Sequence, residues 1–400
     1  MERSEPIKQP NQKIYPRKLY AIVYFLSFIT LGISTATLGP MLPQLAGSLN
    51  TTIGAISILI SAKSIGYLLG SIGGGRLYDR FKGHYLIAIA ISFMALIMIM
   101  IPLLRSFVIL AILMATLGLL EGFLDVGGNT LTLWSFRTNV APYMNALHFS
   151  FGLGAFIAPL IIANLMQFND ALRWTYWLLA ILFIPSIIGF IYLPSPEPVI
   201  TIKSDQKNIQ NIPIAGLIIL LFFMYVAGEN SYGNWLFTYA SQSNLTTDIM
   251  AAYLTSAFWG SFTFGRLIGI AMVKWLKPAK ILIIDMVGSV IALAIILVWS
   301  TNVALLWLAT ITLGLFMASV FPTLFVFAEK RFQITGGLTS MFFAGAGLGT
   351  IIVPFIISKL FDQLGVTIIP TTIFIVMTIG TIILLLLLQR SKKFIIIKSG

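Results

Sequence analysis

Cysteine is absent from the 400 residues, which excludes disulfides and thiolate metal sites and carries no message about compartment. Charge is scarce too: Asp, Glu, Lys and Arg make up 10% of the chain, and only 13 residues are acidic. No phosphate loop, zinc spacing or nucleophile elbow occurs, so the machinery of an energised pump or a membrane-bound enzyme is missing. Residues 1–18, MERSEPIKQPNQKIYPRK, mix acids with bases and show neither a cleavable signal nor a transit pattern, so the first apolar segment is expected to be retained. A sizeable soluble domain is lacking as well, which argues against a non-transporting membrane sensor.

What is abundant is apolar surface. Hydrophobic residues make up 58% of the chain and the mean hydropathy is +0.96, more than a soluble domain can hide. Apolar runs fall near 19–43, 53–77, 85–104, 108–133, 142–166, 174–193, 213–239, 250–273, 280–299, 303–328, 337–360 and 366–388. They predict an all-α membrane protein of twelve spans with both termini on one side. Of the 25 Lys and Arg, 20 fall in the two tails and in the loops that share their side, against Arg105, Arg173 and Lys359 opposite. By the positive-inside rule both termini are cytoplasmic. The net charge of +12 therefore reads as topology beside anionic lipid headgroups, and no nucleic-acid partner is expected.

The chain repeats itself. TLGL at 116–119 recurs at 312–315, GRL at 75–77 recurs at 265–267, and GLGAFIAPLIIANL at 152–165 aligns with GLGTIIVPFIISKL at 347–360. Each match pairs span n with span n+6. The expected organisation is a tail (1–18), a six-helix bundle (19–193), a cytoplasmic linker (194–211), a second bundle (212–390) and a short tail (391–400). Two parallel repeats imply solute handling at their interface, near the bilayer midplane. Gly66, Gly70, Gly73, Gly74 and Gly75 in span two and Gly345, Gly347 and Gly349 in span eleven are expected at close helix contacts.

The architecture and GRLYDR (75–80) resemble the major facilitator superfamily, whose 2–3 loop carries G-x-x-x-D-R-x-G. Gly75, Asp79 and Arg80 match; Lys82 stands where the family has its last Gly, and Gly83 follows. Four further stretches are similar to the branch of fucose–proton symporters and sodium-dependent glucose transporter-like proteins. They are EGFLDVGGN (121–129), NALHFSFGLGAFIAPL (145–160), YVAGENSYGNWLFTYA (225–240) and FWGSFTFGRL (258–267).

Ionisable groups inside spans cost about 2.5–3.5 kcal/mol each even on the mildest scale, so each needs a reason. Glu121 and Asp125 share one face of span four, with Asn129 a turn further on. They either pack helices, paired to Lys63, or bind an ion. One basic partner does not neutralise two carboxylates, and span ten carries Met317 and Phe321 at the equivalent places. A carboxylate that takes up H⁺ or Na⁺ gives loaded and empty states different charges, which is what ion coupling requires. In fucose-type symporters an acidic residue four before an Asn in span four is the coupling group, and the resemblance assigns that place to Asp125, assisted by Glu121.

His148, with Asn145 one turn earlier, is either a satisfied structural group or a donor–acceptor for a hydroxylated solute. Glu229 sits among aromatics in span seven, and Gly228 and Gly233 are expected to let that helix unwind. Glu229, Asn230, Tyr232, Asn234 and Trp235, with Trp259 from span eight, offer the mixture of flat faces, amides and carboxylate that sugar sites use. For Trp235 and Tyr239 an interfacial aromatic belt is the competing reading. Arg266 and Asp285 are expected to form an ion pair between spans eight and nine, Arg266 having an inner-gate role as the alternative. Lys63 either pairs with Glu121 or reaches the interface. NTT at 50–52 and NLT at 244–246 match the glycosylation triplet on expected external loops.

These observations predict a monomeric, multi-pass plasma (inner) membrane transporter with no cofactor beyond the coupling ion. Its solute is a sugar or similar polyhydroxylated molecule, moved with H⁺ or Na⁺. Span one has only Thr30, Ser34, Thr35 and Thr37 where the symporter pattern carries a carboxylate, and spans ten and eleven present Phe316, Phe321, Phe325, Phe342 and Phe343. The alternative is therefore an exporter or flippase of an amphipathic, lipid-linked substrate.

Overall fold

The computed structural model describes residues 17–78, 80–136, 140–197, 212–332 and 336–398, leaving the side chains of 76, 336, 337 and 392–398 aside. These residues form α1 (Arg17–Ser48), α2 (Ile53–Tyr78), α3 (Gly83–Met100), α4 (Phe107–Phe136), α5 (Val140–Leu165), α6 (Ala171–Leu182), α7 (Ile184–Tyr192) and α8 (Ile212–Gln242). They continue with α9 (Asp248–Met272), α10 (Pro278–Val298), α11 (Val303–Met317), α12 (Val320–Glu329), α13 (Gly336–Leu364) and α14 (Ile368–Lys398). Among the described residues eleven helical segments are long and apolar enough to cross a membrane, α6 with α7 and α11 with α12 each counting as one. α9 is not among them, because Asp248, Arg266 and its Ser, Thr and Gly residues dilute its apolar content. It nevertheless lies inside the bundle, packed on α5, α8 and α11.

The packing follows the sequence repeat. In the N-terminal half α2 lies on α4 and α1 on α5; in the C-terminal half α9 lies on α11 and α8 on α13. Across the halves α5 meets α9 and α2 meets α13, again equivalent pairs, with α1 against α8. Large apolar residues such as Ile72, Val108 and Leu386 stand exposed around the rim, as a surface solvated by lipid tails requires.

The two ends of the bundle differ. One carries the α1–α2, α5–α6, α8–α9 and α13–α14 turns, which close through left-handed Asn50 (φ 50°), Asp170 (φ 63°), Asn244 (φ 55°) and Gly365 (φ 74°). Asn, Asp and Gly are the residues that tolerate this conformation. This is the weakly charged end; the other is the basic end. Thr247 caps α9 by accepting from Met250 N (3.3 Å), and Asn302 caps α11 by accepting from Leu305 N (3.0 Å).

Glycines set the distance between α2 and α4. A Cβ on Gly66 or Gly70 would collide with the carbonyls of Ala115 or Leu119, and one on Gly118 or Gly122 with those of Lys63 or Tyr67. Four glycines thus interlock the two backbones. Gly345 and Gly349 meet α8 at Ile219 and Phe223, Gly347 meets Leu68 of α2, and Gly74 meets Phe123. Gly73 and Gly75 do not fit the expected pattern: among the described residues nothing lies within 4 Å of a Cβ at either, since they flank Gly74 on faces of α2 turned away from α4.

Candidate ion and solute site

The close α2–α4 contact brings two polar rungs together. On α2, Lys63 and Tyr67 are one turn apart; on α4, Glu121 and Asp125 have the same spacing, so the pairs meet face to face. Lys63 Nζ lies 2.8 Å from Glu121 Oε1 and donates to the Ser34 carbonyl of α1 at 2.9 Å. Lys63 is 7% exposed and Glu121 2%, so this is a fully enclosed, neutralised pair. The second rung is different. Asp125 is half-buried and accepts from the Tyr67 hydroxyl and from Asn129 Nδ2 (3.0 Å), both neutral donors. Asn129 Nδ2 also reaches the Asp125 carbonyl at 2.9 Å. Among the described residues no cation touches Asp125.

A further positive charge comes from the other half. Arg266 on α9 stacks over Phe262 (4.8 Å) and donates through Nη1 to the His148 carbonyl of α5 at 3.3 Å. From there it lies within electrostatic reach of Asp125, His148 and Glu229. The expected Arg266–Asp285 ion pair is therefore corrected. Gly265 and Gly269 turn one face of α9 onto Leu315, Ala318 and Ser319, and Arg266, one position round the helix, faces α5 instead. Asp285 is buried on α10 and accepts from the Ser319 hydroxyl.

On α8 Glu229 is half-buried one turn from Tyr225, whose hydroxyl donates to the Met317 carbonyl at 2.6 Å. Asn234 Nδ2 donates to Asn230 O (2.9 Å) and Oδ1 (3.3 Å), where Gly39 of α1 comes against the Asn234 backbone. His148 and Asn145 are exposed on α5, the imidazole set edge-on to Phe28 at 5.9 Å. Trp259 is 4% exposed, faces Phe151 of α5 at 6.5 Å, and its indole N–H has no partner.

Two expected contributors turn away. Tyr232 is buried, its hydroxyl 2.7 Å from Thr310 Oγ1 of α11, and Trp235 is buried against Phe361 of α13 at 5.4 Å. The expected unwinding of span seven does not occur: α8 is continuous, and Gly228 and Gly233 make room for Met377 and for the Trp259 ring. In the GRLYDR stretch Arg80 is exposed in the turn after α2, while Asp79 lies outside the described residues.

Tyr67 is the contact that sequence reasoning missed. Its signal was available, since it repeats on α2 the four-residue spacing that drew attention to Glu121 and Asp125. His84 was also passed over: it is wholly buried, bonded through Nε2 to Tyr24 (2.8 Å) and through Nδ1 to the Leu193 carbonyl (2.9 Å), and it ties α3 to α1.

Similarity to known proteins identifies the family. The profile of the Major Facilitator Superfamily matches residues 22–342. Sodium-dependent glucose transporter 1 of Homo sapiens is 30% identical over 372 residues, covering 84% of this chain and 72% of that protein. The Xenopus laevis protein of the same name is 32% identical over 356 residues, covering 80% and 71%. Major facilitator superfamily domain-containing protein 4A of Homo sapiens is 25% identical over 445 residues, covering 86% of each chain. Among solved structures, a point mutant of the nucleoside transporter NupG superposes with a TM-score of 0.76 at 15% identity, over 93% of this chain and 99% of its own. The chain is a multi-pass membrane transporter, not an enzyme, and it belongs to the major facilitator superfamily.

Proposed function

We propose that the protein moves a sugar or similar polyhydroxylated solute by alternating access, driven by one H⁺ or Na⁺ taken up at Asp125. In this reading α9 serves as the eighth of twelve spans, the basic end is cytoplasmic, and the membrane is the plasma (inner) membrane. The observation that carries the proposal is the contrast between the two rungs. Glu121 is matched by Lys63, whereas Asp125 has only neutral donors in contact. Counting Lys63, Glu121, Asp125, Glu229 and Arg266 as ionised leaves one unmatched negative charge at the interface, enough for one monovalent cation. Glu121 then stabilises the fold beneath the site, and Arg266, which faces acidic groups from both halves, completes the charged set. Asn129, Asn145, His148, Glu229, Asn230 and Trp259 are the residues best placed to meet a hydroxylated solute.

The names of the sodium-dependent glucose transporters support a hexose and favour Na⁺, and the name of NupG keeps a nucleoside, also hydroxylated, in the same class. The flippase reading loses its motive. Phe222 and Phe342 are stacked at 5.2 Å and buried, and Phe321 and Phe325 pack against them, so these four rings fill one another's space, while Phe343 stays exposed at the edge of the cluster.

The test is counterflow of labelled glucose and fucose into proteoliposomes preloaded with the unlabelled sugar, which needs no ion gradient. A transient overshoot is expected. No exchange with any hexose or nucleoside by folded protein refutes the solute class.

A further inference from the structure

Besides the Arg266–His148 contact, hydrogen bonds made by side chains between the two halves gather at the weakly charged end. Ser61 Oγ donates to the Ile351 carbonyl (3.0 Å) and Ser256 Oγ to the Phe156 carbonyl (2.6 Å). Beyond them, at the mouth, Asp362 in the last turn of α13 caps α2 from the opposite half. Thr52 Oγ1 donates to Asp362 Oδ2 (2.6 Å), and Gly54 N donates to Oδ1 (3.1 Å). The same threonine oxygen accepts from Ala55 N (3.1 Å), as a helix N-cap does. A carboxylate is well placed there, against free N–H groups and the positive end of the helix dipole. Gly54 permits the approach, because a Cβ would stand 2.5–2.7 Å from the carboxylate atoms.

Beside this cap lies a row of buried polar groups on α8. Ser231 Oγ, Trp235 Nε1 and Thr238 Oγ1 are all fully buried and find no hydrogen-bond partner among the described residues. They follow one another at i, i+4 and i+7, so they form one stripe along α8. Trp235 packs on Phe361, the residue before Asp362, and the neighbouring Asn234 meets Gly39 of α1, so the stripe lies where α8 comes against the opposite half. Buried polar groups are ordinarily paired, and a row of three orphans calls for an explanation. Water or solute hydroxyls supply the missing partners as soon as the wall parts.

We propose that Asp362 is the latch of an outer gate, and that its release opens a vestibule along Ser231, Trp235 and Thr238 through which a hydroxylated solute passes. The cap holds the two halves together at one point and is broken when they part. The orphaned stripe raises the free energy of the sealed state and lowers that of the open one, so the two remain close enough to interconvert. The inference rests on the alternating-access reading above, including the placement of the weakly charged end outside.

The natural absence of cysteine makes the test direct. Thr238→Cys is introduced as the sole thiol, and its rate of reaction with a membrane-impermeant maleimide added outside intact cells is measured, with Ser231→Cys as a second reporter. In the latched chain labelling is slow. Asp362→Ala is expected to speed it at least fivefold, and Thr52→Val, which removes one of the two bonds, by a smaller factor. Both latch positions are surface caps, and folding is checked by monodispersity in detergent. Rates unchanged within twofold on Asp362→Ala, at both reporters, overturn the latch; labelling only from the cytoplasmic side overturns the placement. Neither solute nor ion gradient is used, so failure of hexose counterflow with faster labelling would discard the solute class and leave the gate standing.

Discussion

Replacing Lys63 by methionine should damage the protein more than replacing Lys63 and Glu121 together. The pair is enclosed, at 7% and 2% exposure, with 2.8 Å between Nζ and Oε1. Lys63→Met leaves the Glu121 carboxylate buried without a counter-charge, and Glu121→Gln leaves the ammonium with only the Ser34 carbonyl. Stranding one member of a buried pair typically costs about 3–5 kcal/mol, whereas replacing both by groups of similar volume is often close to neutral. The double variant Lys63→Met/Glu121→Gln should therefore recover most of the loss, with a coupling energy of about 2–4 kcal/mol, the share of the single cost the second change relieves. The assay is apparent melting temperature in detergent for the wild type, both singles and the double, followed by hexose counterflow on each. Singles should melt clearly lower, and the double should return at least halfway. If the double melts as low as the two single losses added together, the pair is not energetically coupled. A Glu121→Gln variant that keeps wild-type melting but loses ion-driven accumulation would also refute the reasoning, because it would move the coupling role to the matched rung.

The other rung should behave in the opposite way. Asp125→Asn is expected to keep its melting temperature and counterflow while losing ion-driven accumulation, measured as uptake against a gradient; accumulation at the wild-type rate would remove Asp125 from the coupling role. Tyr67→Phe deletes one donor to Asp125 and keeps the ring, so the ion concentration for half-maximal uptake should shift by about tenfold or more with the maximal rate within about twofold, two good hydrogen bonds to a charged group differing from one by about 1.5–3 kcal/mol. Arg266→Gln should abolish coupled uptake and leave Lys63–Glu121 stability untouched, read by the same melting assay. Gly118→Leu drives a side chain into the Lys63 carbonyl and should prevent folded protein from being recovered, whereas Gly73→Leu, facing open space, should be tolerated.

The fold was legible because its signals are collective. Apolar run length and the n to n+6 repeat each sum many residues, and lipid allows few other solutions. The Lys63–Glu121 contact was legible as one of two options because Lys63 is a basic residue inside an apolar span, where a buried carboxylate is the natural partner. Tyr67 was overlooked since a tyrosine in an apolar span usually needs no explanation, and its role exists only once α4 lies alongside. Tyr232 and Trp235 were read as solute contacts from residue type, yet type does not say which side of α8 a residue occupies. In the structure one looks to α11 and the other to α13.

Arg266 shows where single-helix reasoning ends. Spacing from the cytoplasmic ends of spans eight and nine put it level with Asp285, and level is all that spacing provides. Which residues face each other is decided by the phase of α9, and that phase is set by Gly265 and Gly269, whose missing side chains let the helix press against Leu315, Ala318 and Ser319. With those two positions committed to α11 and the start of α12, the residue next to Gly265 points toward α5 and the interface between the halves. The small residues, not the charged one, thus direct the charge. A guanidinium that would have been a strut within one half instead reaches the His148 carbonyl of the other. The same logic explains why Asp285 tolerates burial with a serine as its bonded partner: it never needed the arginine for the packing of α10, and the arginine was free to serve the place where the halves meet.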